Sequence, residues 1–131
     1  ATSCVNSITQ KACVTALAEE DDSIENMRAE FEKRRDFLYA ELSKLPHVSC
    51  FKPQGAFYIM PNISWYLSNN SQSIKDGDQF CQALLEKHHV ALVSGDSFGI
   101  PSNVRFSYAN SMENLQKGVE RFAKFLGELA R

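Results

Sequence analysis

The chain has 131 residues, a formal net charge of −2, 44% hydrophobic and 23% charged residues, which is the make-up of one globular domain with a core of its own. The acidic balance argues against a nucleic-acid binder, because its one basic cluster, Lys33-Arg34-Arg35, lies among Glu30, Glu32 and Asp36 and reads as a solvated helix face. No apolar run approaches the roughly 18 residues that a membrane span needs.

The chain opens on Ala1-Thr2-Ser3-Cys4, which is neither a signal peptide nor a Met start, so a fragment of a longer polypeptide is expected. Residues 6 to 20 read as a helix, with Ile8, Ala12, Leu17 and Ala18 on one side and Gln10, Lys11 and Thr15 opposite. Glu19-Glu20-Asp21-Asp22 interrupts it. Asp22 starts a second helix, and Glu25 three residues on gives a capping-box-like pattern. Ile24, Met27, Phe31, Leu38, Leu42 and Leu45 recur at spacings of three, four or seven, an apolar stripe on one long helix that Pro46 stops. A coiled coil is the rival reading, but Arg34 and Arg35 fall where the stripe would continue.

Val48 to Phe51 reads as a strand, and Lys52-Pro53-Gln54-Gly55 as a type I turn. Ala56 to Met60 reads as a second strand, apolar on both faces and therefore central or covered on both sides. Residues 62 to 75, rich in Asn, Ser and Gln around Trp65-Tyr66-Leu67, read as a surface loop. Asp76 or Asp78 caps a third helix through Phe80, Leu84 and Leu85. Val90 to Val93 and Val104 to Ala109 are the third and fourth strands. Ser111 caps the last helix, whose buried stripe is Leu115, Val119, Phe122, Leu126 and Leu129. The expected fold is an α/β sandwich: a short sheet of about four strands, packed helices and a long leading helix.

Cys4, Cys13, Cys50 and Cys81 form no C-x-x-C pair and are too sparse for a disulfide scaffold, so reduced thiols in a cytoplasmic setting are expected. The neighbours His88 and His89 do not face each other on a helix and make a poor metal pair, which leaves structural or solvent-exposed roles.

The most informative stretch is Val93-Ser94-Gly95-Asp96-Ser97-Phe98-Gly99 followed by Val104-Arg105-Phe106-Ser107-Tyr108-Ala109. A Gly-rich turn leads into a strand. Alternation puts Val104, Phe106 and Tyr108 on one face, and Arg105, Ser107 and Ala109 on the other. Arg105 is then either half of a structural ion pair, which spacing alone favours, or a rigidly presented two-pronged receptor for a carboxylate.

These residues also carry a resemblance. Pro53-Gln54-Gly55-Ala56-Phe57-Tyr58-Ile59-Met60-Pro61 resembles the motif P-x-G-A-F-Y-x-x-P, and Gly95-x-x-Phe98-Gly99 with Val104-Arg105-x-Ser107-x-Ala109 resembles G-x-x-F-G…V-R-x-S-x-A. Both belong to the class I, fold-type I aminotransferases of the aspartate aminotransferase kind, which use pyridoxal 5'-phosphate. Thr2-Ser3-Cys4 with Gln10 resembles the helix after that family's cofactor-lysine region. Ser94 stands where the family usually has Pro, Gln54 where it often has an acid, and Asn62 to Lys75 is unusually polar.

The resemblance implies the C-terminal small domain over 22–131, preceded by a linking helix over 1–21. It implies that Arg105 binds the substrate α-carboxylate, that Gly55 and Phe57 lie near the substrate opening, and that residues 1 to 6 lie near a homodimer interface. It implies an enzyme that moves an amino group between an amino acid, aspartate among the candidates, and a 2-oxo acid, with no nucleic-acid or membrane partner. The lysines at 11, 33, 44, 52, 75, 87, 117 and 124 all fall on helices, turns or polar loops, and no phosphate-cradling glycine loop opens a helix. The cofactor machinery is therefore expected upstream and this chain, by itself, is expected to be inactive. The alternatives are a non-catalytic α/β ligand-binding or dimerisation module, and an aromatic RNA-recognition sheet, which the acidic balance and the two leading helices argue against.

Overall fold

The computed structural model describes residues 4–19 and 22–130. Among the described residues, four helices accompany a small antiparallel sheet and a fifth, α1, precedes them: α1 (Ser7–Ala18), α2 (Ser23–Leu42), β1 (Tyr58–Ile59), α3 (Ser64–Ser68), α4 (Gly77–His88), β2 (Val93–Ser94), a 3-10 turn (Gly95–Phe98), β3 (Val104–Ser107) and α5 (Met112–Leu129). The strand order is β1-β3-β2, with Tyr58 opposite Ser107 and Val93 opposite Arg105.

The α/β sandwich expected from the sequence is present, with three strands in place of about four. Val48 to Phe51 is not a strand; Ser49 makes one isolated bridge to Asn62, which also bridges to Asn103. The segment from Ala56 to Met60 shrinks to Tyr58–Ile59 and lies at a sheet edge, not at the centre. Only Ile59 is buried there, while Phe57 is 49% exposed, so the apolar run reflects one face on the core and one face left open. The strand read at Val90 to Val93 begins at Val93.

The residues from 62 to 75 are not a plain loop. They fold into α3, with Ile63, Tyr66 and Ile74 buried and the Tyr66 hydroxyl donating to the Pro46 carbonyl at 2.7 Å. Asn70 closes the return: its Nδ2 donates to the Ile74 carbonyl at 2.8 Å and its Oδ1 accepts from the Ile74 N–H at 2.9 Å. A polar composition hid this element because its side chains satisfy backbone groups locally.

Helix α1 is capped by Asn6, whose Oδ1 accepts from the Thr9 N–H, yet it buries nothing: Ile8 is 83% and Leu17 89% exposed. In α2 the capping box does not form. Asp22 makes no side-chain cap bond, and Glu25 instead takes the Arg28 guanidinium at 2.6 Å, a charge-assisted alternative to a backbone N–H. The helix ends at Leu42, ahead of Leu45, and its stripe is buried only in the second half, with Ile24 and Met27 exposed.

Asp76 caps α4 by accepting from Gln79 N–H at 2.8 Å, and Ser111 caps α5 by accepting from Asn114 N–H at 3.2 Å. The α5 stripe is buried throughout and is joined by Phe125, edge-on to Phe80 at 5.1 Å. His88 is structural: buried against Phe125, it meets Glu128 Oε2 through Nε2 at 3.0 Å, tying α4 to α5. His89, in the left-handed region at φ 56°, ends α4 in solvent. No helix among the described residues is long and apolar enough to cross a membrane.

Candidate functional site

Strand β3 sorts its side chains as alternation requires. Val104, Phe106 and Tyr108 are 0%, 4% and 2% exposed and anchor the strand in the core. Arg105 and Ser107 project from the opposite face, together with Tyr58 from β1 and Val93 from β2 through the strand register. Phe98, 44% exposed, borders this outer face through its contact with Arg105.

Arg105 is half-buried on that face. Its guanidinium carbon lies 5.0 Å from the Phe98 ring centroid and 5.6 Å from that of Tyr58. Among the described residues no carboxylate comes within salt-bridge distance of it and no hydrogen-bond acceptor engages it. Asp96, in the 3-10 turn, accepts from Ser94 Oγ at 2.6 Å. The structural ion pair that spacing favoured is therefore not formed among the described residues. The planar Arg105 guanidinium offers a two-pronged donor fork to an anion from outside.

The other two candidate residues are placed differently. Phe57 is exposed beside Arg105's neighbour Tyr58, edge-on at 5.5 Å, and its carbonyl accepts from Tyr108 N–H at 2.8 Å. Gly55 belongs to a separate cleft of about 220 Å³ between the turn and α2, lined by Arg28, Phe31, Arg35 and Tyr108. Its carbonyl accepts from the Tyr108 hydroxyl at 3.3 Å, on the side of β3 away from Arg105. Of the sequence-read candidates, Arg105 alone sits on this outer face against Tyr58 and Phe98; Phe57 touches Tyr58, and Gly55 lies apart in the other cleft. Tyr58 and Phe98 were visible only as motif letters. Their contact with Arg105 depends on strand register and on the shape of the 3-10 turn, which no local pattern specifies.

The same cleft is bordered by a charged ladder. Arg35 donates to Asp36 at 2.7 Å and to Glu32 at 3.0 Å, and Lys52 reaches Asp36 at 3.0 Å. The Asp36 carboxyl is held below the usual range, first by Arg35 and then by Lys52. Burial pushes the Tyr108 phenol up.

All eight lysines are exposed, and the Gly95–Gly99 run passes through a 3-10 turn toward a strand and opens no helix that could cradle a phosphate.

Comparison with known proteins places this geometry in context. The family described as aminotransferase class I and II matches residues 1–122. The aspartate aminotransferase of Bacillus subtilis is 42% identical over 125 residues, covering 95% of this chain and 31% of the relative. The crystal structure of the aspartate aminotransferase from Rhizobium meliloti superposes with a TM-score of 0.90 at 37% identity, over 98% of this chain and 33% of that one. The alanine aminotransferase from Pyrococcus furiosus superposes with a TM-score of 0.85 at 31% identity, over 95% and 31%. The chain spans about a third of the length of the curated relatives it matches.

Proposed function

Because the chain belongs to the class I and II aminotransferase family, we propose that it is the C-terminal part of a pyridoxal-phosphate-dependent aminotransferase, in which Arg105 holds the α-carboxylate of the substrate. The observation that carries this reading is the unpaired guanidinium of Arg105, presented on an anchored strand between two aromatic rings. Amino-acid and 2-oxo-acid substrates share an α-carboxylate, so one receptor serves both halves of a transamination. Holding that group fixes the orientation of the substrate's Cα–H, which is proximity catalysis by position.

Residues 22–131 are read as the small domain and 1–21 as the linking helix. Residues 1–3, 20, 21 and 131 lie outside the described ones, as does most of the Thr2-Ser3-Cys4 segment read near a dimer interface. The exposed α1 fits a helix that packs elsewhere in the longer polypeptide. Pyridoxal phosphate, its Schiff-base lysine and its phosphate site are assigned to segments outside this chain, and the chain alone is inactive. Carboxylate binding to an arginine on a mobile small domain would draw that domain closed and exclude water.

Aspartate is the amino acid favoured by the names of the Bacillus and Rhizobium relatives. A likeness of similar degree to an alanine aminotransferase is in keeping with a receptor that holds the α-carboxylate and does not read the side chain. The whole enzyme is read as a cytoplasmic homodimer, in keeping with the thiols of Cys13, Cys50 and Cys81 remaining unpaired.

The test is Arg105→Lys in the full-length enzyme. Lysine keeps the charge and loses the planar fork. Loss of a charge-assisted contact costs about 1.5–3 kcal/mol, and misorientation adds to it, so kcat/KM falls about a hundredfold or more for every amino acid tried. The same change leaves the melting temperature of this chain in place. A destabilised chain with near-normal kcat/KM in the full-length enzyme would return Arg105 to a structural role.

A further inference from the structure

An arginine side chain loses considerable rotamer freedom when it is fixed, so a preset guanidinium needs something to hold it. The usual holder is a carboxylate. A carboxylate, however, would occupy the N–H donors that a ligand must use. Arg105 is held in another way. Phe98 and Tyr58 come from different elements, the 3-10 turn and β1, and both rings lie within cation–π range of the guanidinium carbon, at 5.0 and 5.6 Å. Aromatic rings engage the cation without accepting its N–H hydrogens.

We infer that Phe98 and Tyr58 are positioning residues that fix the Arg105 guanidinium between their rings while leaving its N–H donors open to a carboxylate. This rests on the reading of Arg105 as the carboxylate receptor and deepens it.

The local structure supports a dedicated placement of Phe98. The turn that carries it is closed by the Gly99 N–H donating to Asp96 carbonyl at 3.0 Å, with Gly99 in the left-handed region at φ 71°. Its base is fixed by Gly95 N–H donating to Asn103 carbonyl at 2.8 Å. Ser94 Oγ donates to the turn's one acid, Asp96, at 2.6 Å. Phe98 stays 44% exposed, so core burial does not account for a phenylalanine at this point of the turn. Tyr58 also meets the Phe57 ring, edge-on at 5.5 Å.

The experiment uses the full-length enzyme with Phe98→Leu, Phe98→Tyr, Tyr58→Leu and Tyr58→Phe, and Arg105→Lys as the reference. Read-outs are kcat and KM for two amino acids of different side chain, the dissociation constant of maleate as an unreactive dicarboxylate, and the melting temperature. The leucine variants keep bulk and lose the π face. They are expected to raise KM and the maleate dissociation constant by about five- to tenfold for each ligand alike, with much less change in kcat and none in melting temperature. Phe98→Tyr and Tyr58→Phe, which keep the ring, restore binding. Leucine variants that bind normally while Arg105→Lys is crippled would overturn the inference and leave the carboxylate-receptor reading intact. So would a loss that the aromatic variants fail to rescue, or one that follows a fall in melting temperature. Normal binding by Arg105→Lys would overturn the receptor reading itself, and the positioning role with it.

Discussion

Gly95→Ala offers a sharp test of how the turn beside Arg105 is built. A Cβ at this position would overlap the Ile100 carbonyl oxygen and lie 2.5 Å from that of Asn103, both of them backbone atoms that cannot rotate away. The same residue makes two of the turn's closing hydrogen bonds, donating to Asn103 carbonyl at 2.8 Å and accepting from Ile100 N–H at 3.0 Å. Overpacking of this kind costs about 1–3 kcal/mol, and weakening two hydrogen bonds adds about 0.5–1.5 kcal/mol each. The contributions overlap, so a destabilisation of about 3 kcal/mol is expected, a sizeable part of the roughly 5–15 kcal/mol that holds a domain together. Denaturant unfolding of this chain reads it directly as a lower midpoint at unchanged slope. Gly99→Ala is the internal control. It has open space around the new methyl and only the left-handed φ of 71° to pay for, about 1 kcal/mol. Gly55→Ala, with nothing near its Cβ and no left-handed φ, should stay within about 0.5 kcal/mol. A Gly95→Ala chain within 1 kcal/mol or so of the unsubstituted one, or a costlier Gly99→Ala, would refute the reasoning.

The remaining predictions concern thiols, acid and cofactor. Burial, with smaller contributions from Asp78 and Asp96, pushes the Cys81 thiol up to about 11, whereas Cys13 is exposed; iodoacetamide at pH 8 followed by mass spectrometry should alkylate Cys13 at least about a hundredfold faster, and equal rates would contradict the packing of α4. Asp36 has its carboxyl lowered by Arg35 and Lys52, so its contribution to stability is complete above the unfolded carboxylate pKa of about 4 and is lost as pH falls through the lower folded value. The stability gap between Asp36→Asn and the unsubstituted chain should therefore be small at pH 7 and close below about pH 4; a gap that widens on acidification would contradict the pairing. Borohydride reduction of this chain with added pyridoxal phosphate should give scattered, sub-stoichiometric labelling, because all eight lysines are exposed; stoichiometric labelling of one lysine at low cofactor concentration would show a site this chain does possess.

The parts of the fold that the sequence revealed are those written in strong local periodicity. The α5 stripe from Leu115 to Leu129, the caps at Asp76 and Ser111, and the alternation of Val104, Phe106 and Tyr108 against Arg105 all appear as read. What escaped depends on tertiary context. The apolar run at Ala56 to Met60 looked doubly covered, but its outer face opens onto the Arg105 surface, so hydrophobicity there marks an open sheet face and not a central strand. Helix α3 was hidden by Asn and Ser residues that close turns and cap backbone groups. Ile24 and Met27 continue the α2 stripe, yet they stay exposed among the described residues, because periodicity records that a face is apolar without saying what packs on it. At the site, alternation alone put Arg105 on the outer face of β3, while its reading as a carboxylate receptor came from the family resemblance. Its aromatic neighbours were not legible, since the β1–β3 register and the fold of the 3-10 turn bring Tyr58 and Phe98 to it from 47 and 7 residues away in the chain.

The central claim is that Arg105 receives a substrate carboxylate, and a crystal structure of the full-length enzyme soaked with maleate tests it most directly. The account predicts one maleate carboxylate facing the Arg105 guanidinium in a two-pronged pair, with N–O distances of about 2.7–2.9 Å, and with Phe98 and Tyr58 still in place against the guanidinium. Maleate bound elsewhere, with Arg105 paired to an aspartate or glutamate of the enzyme itself, would contradict it.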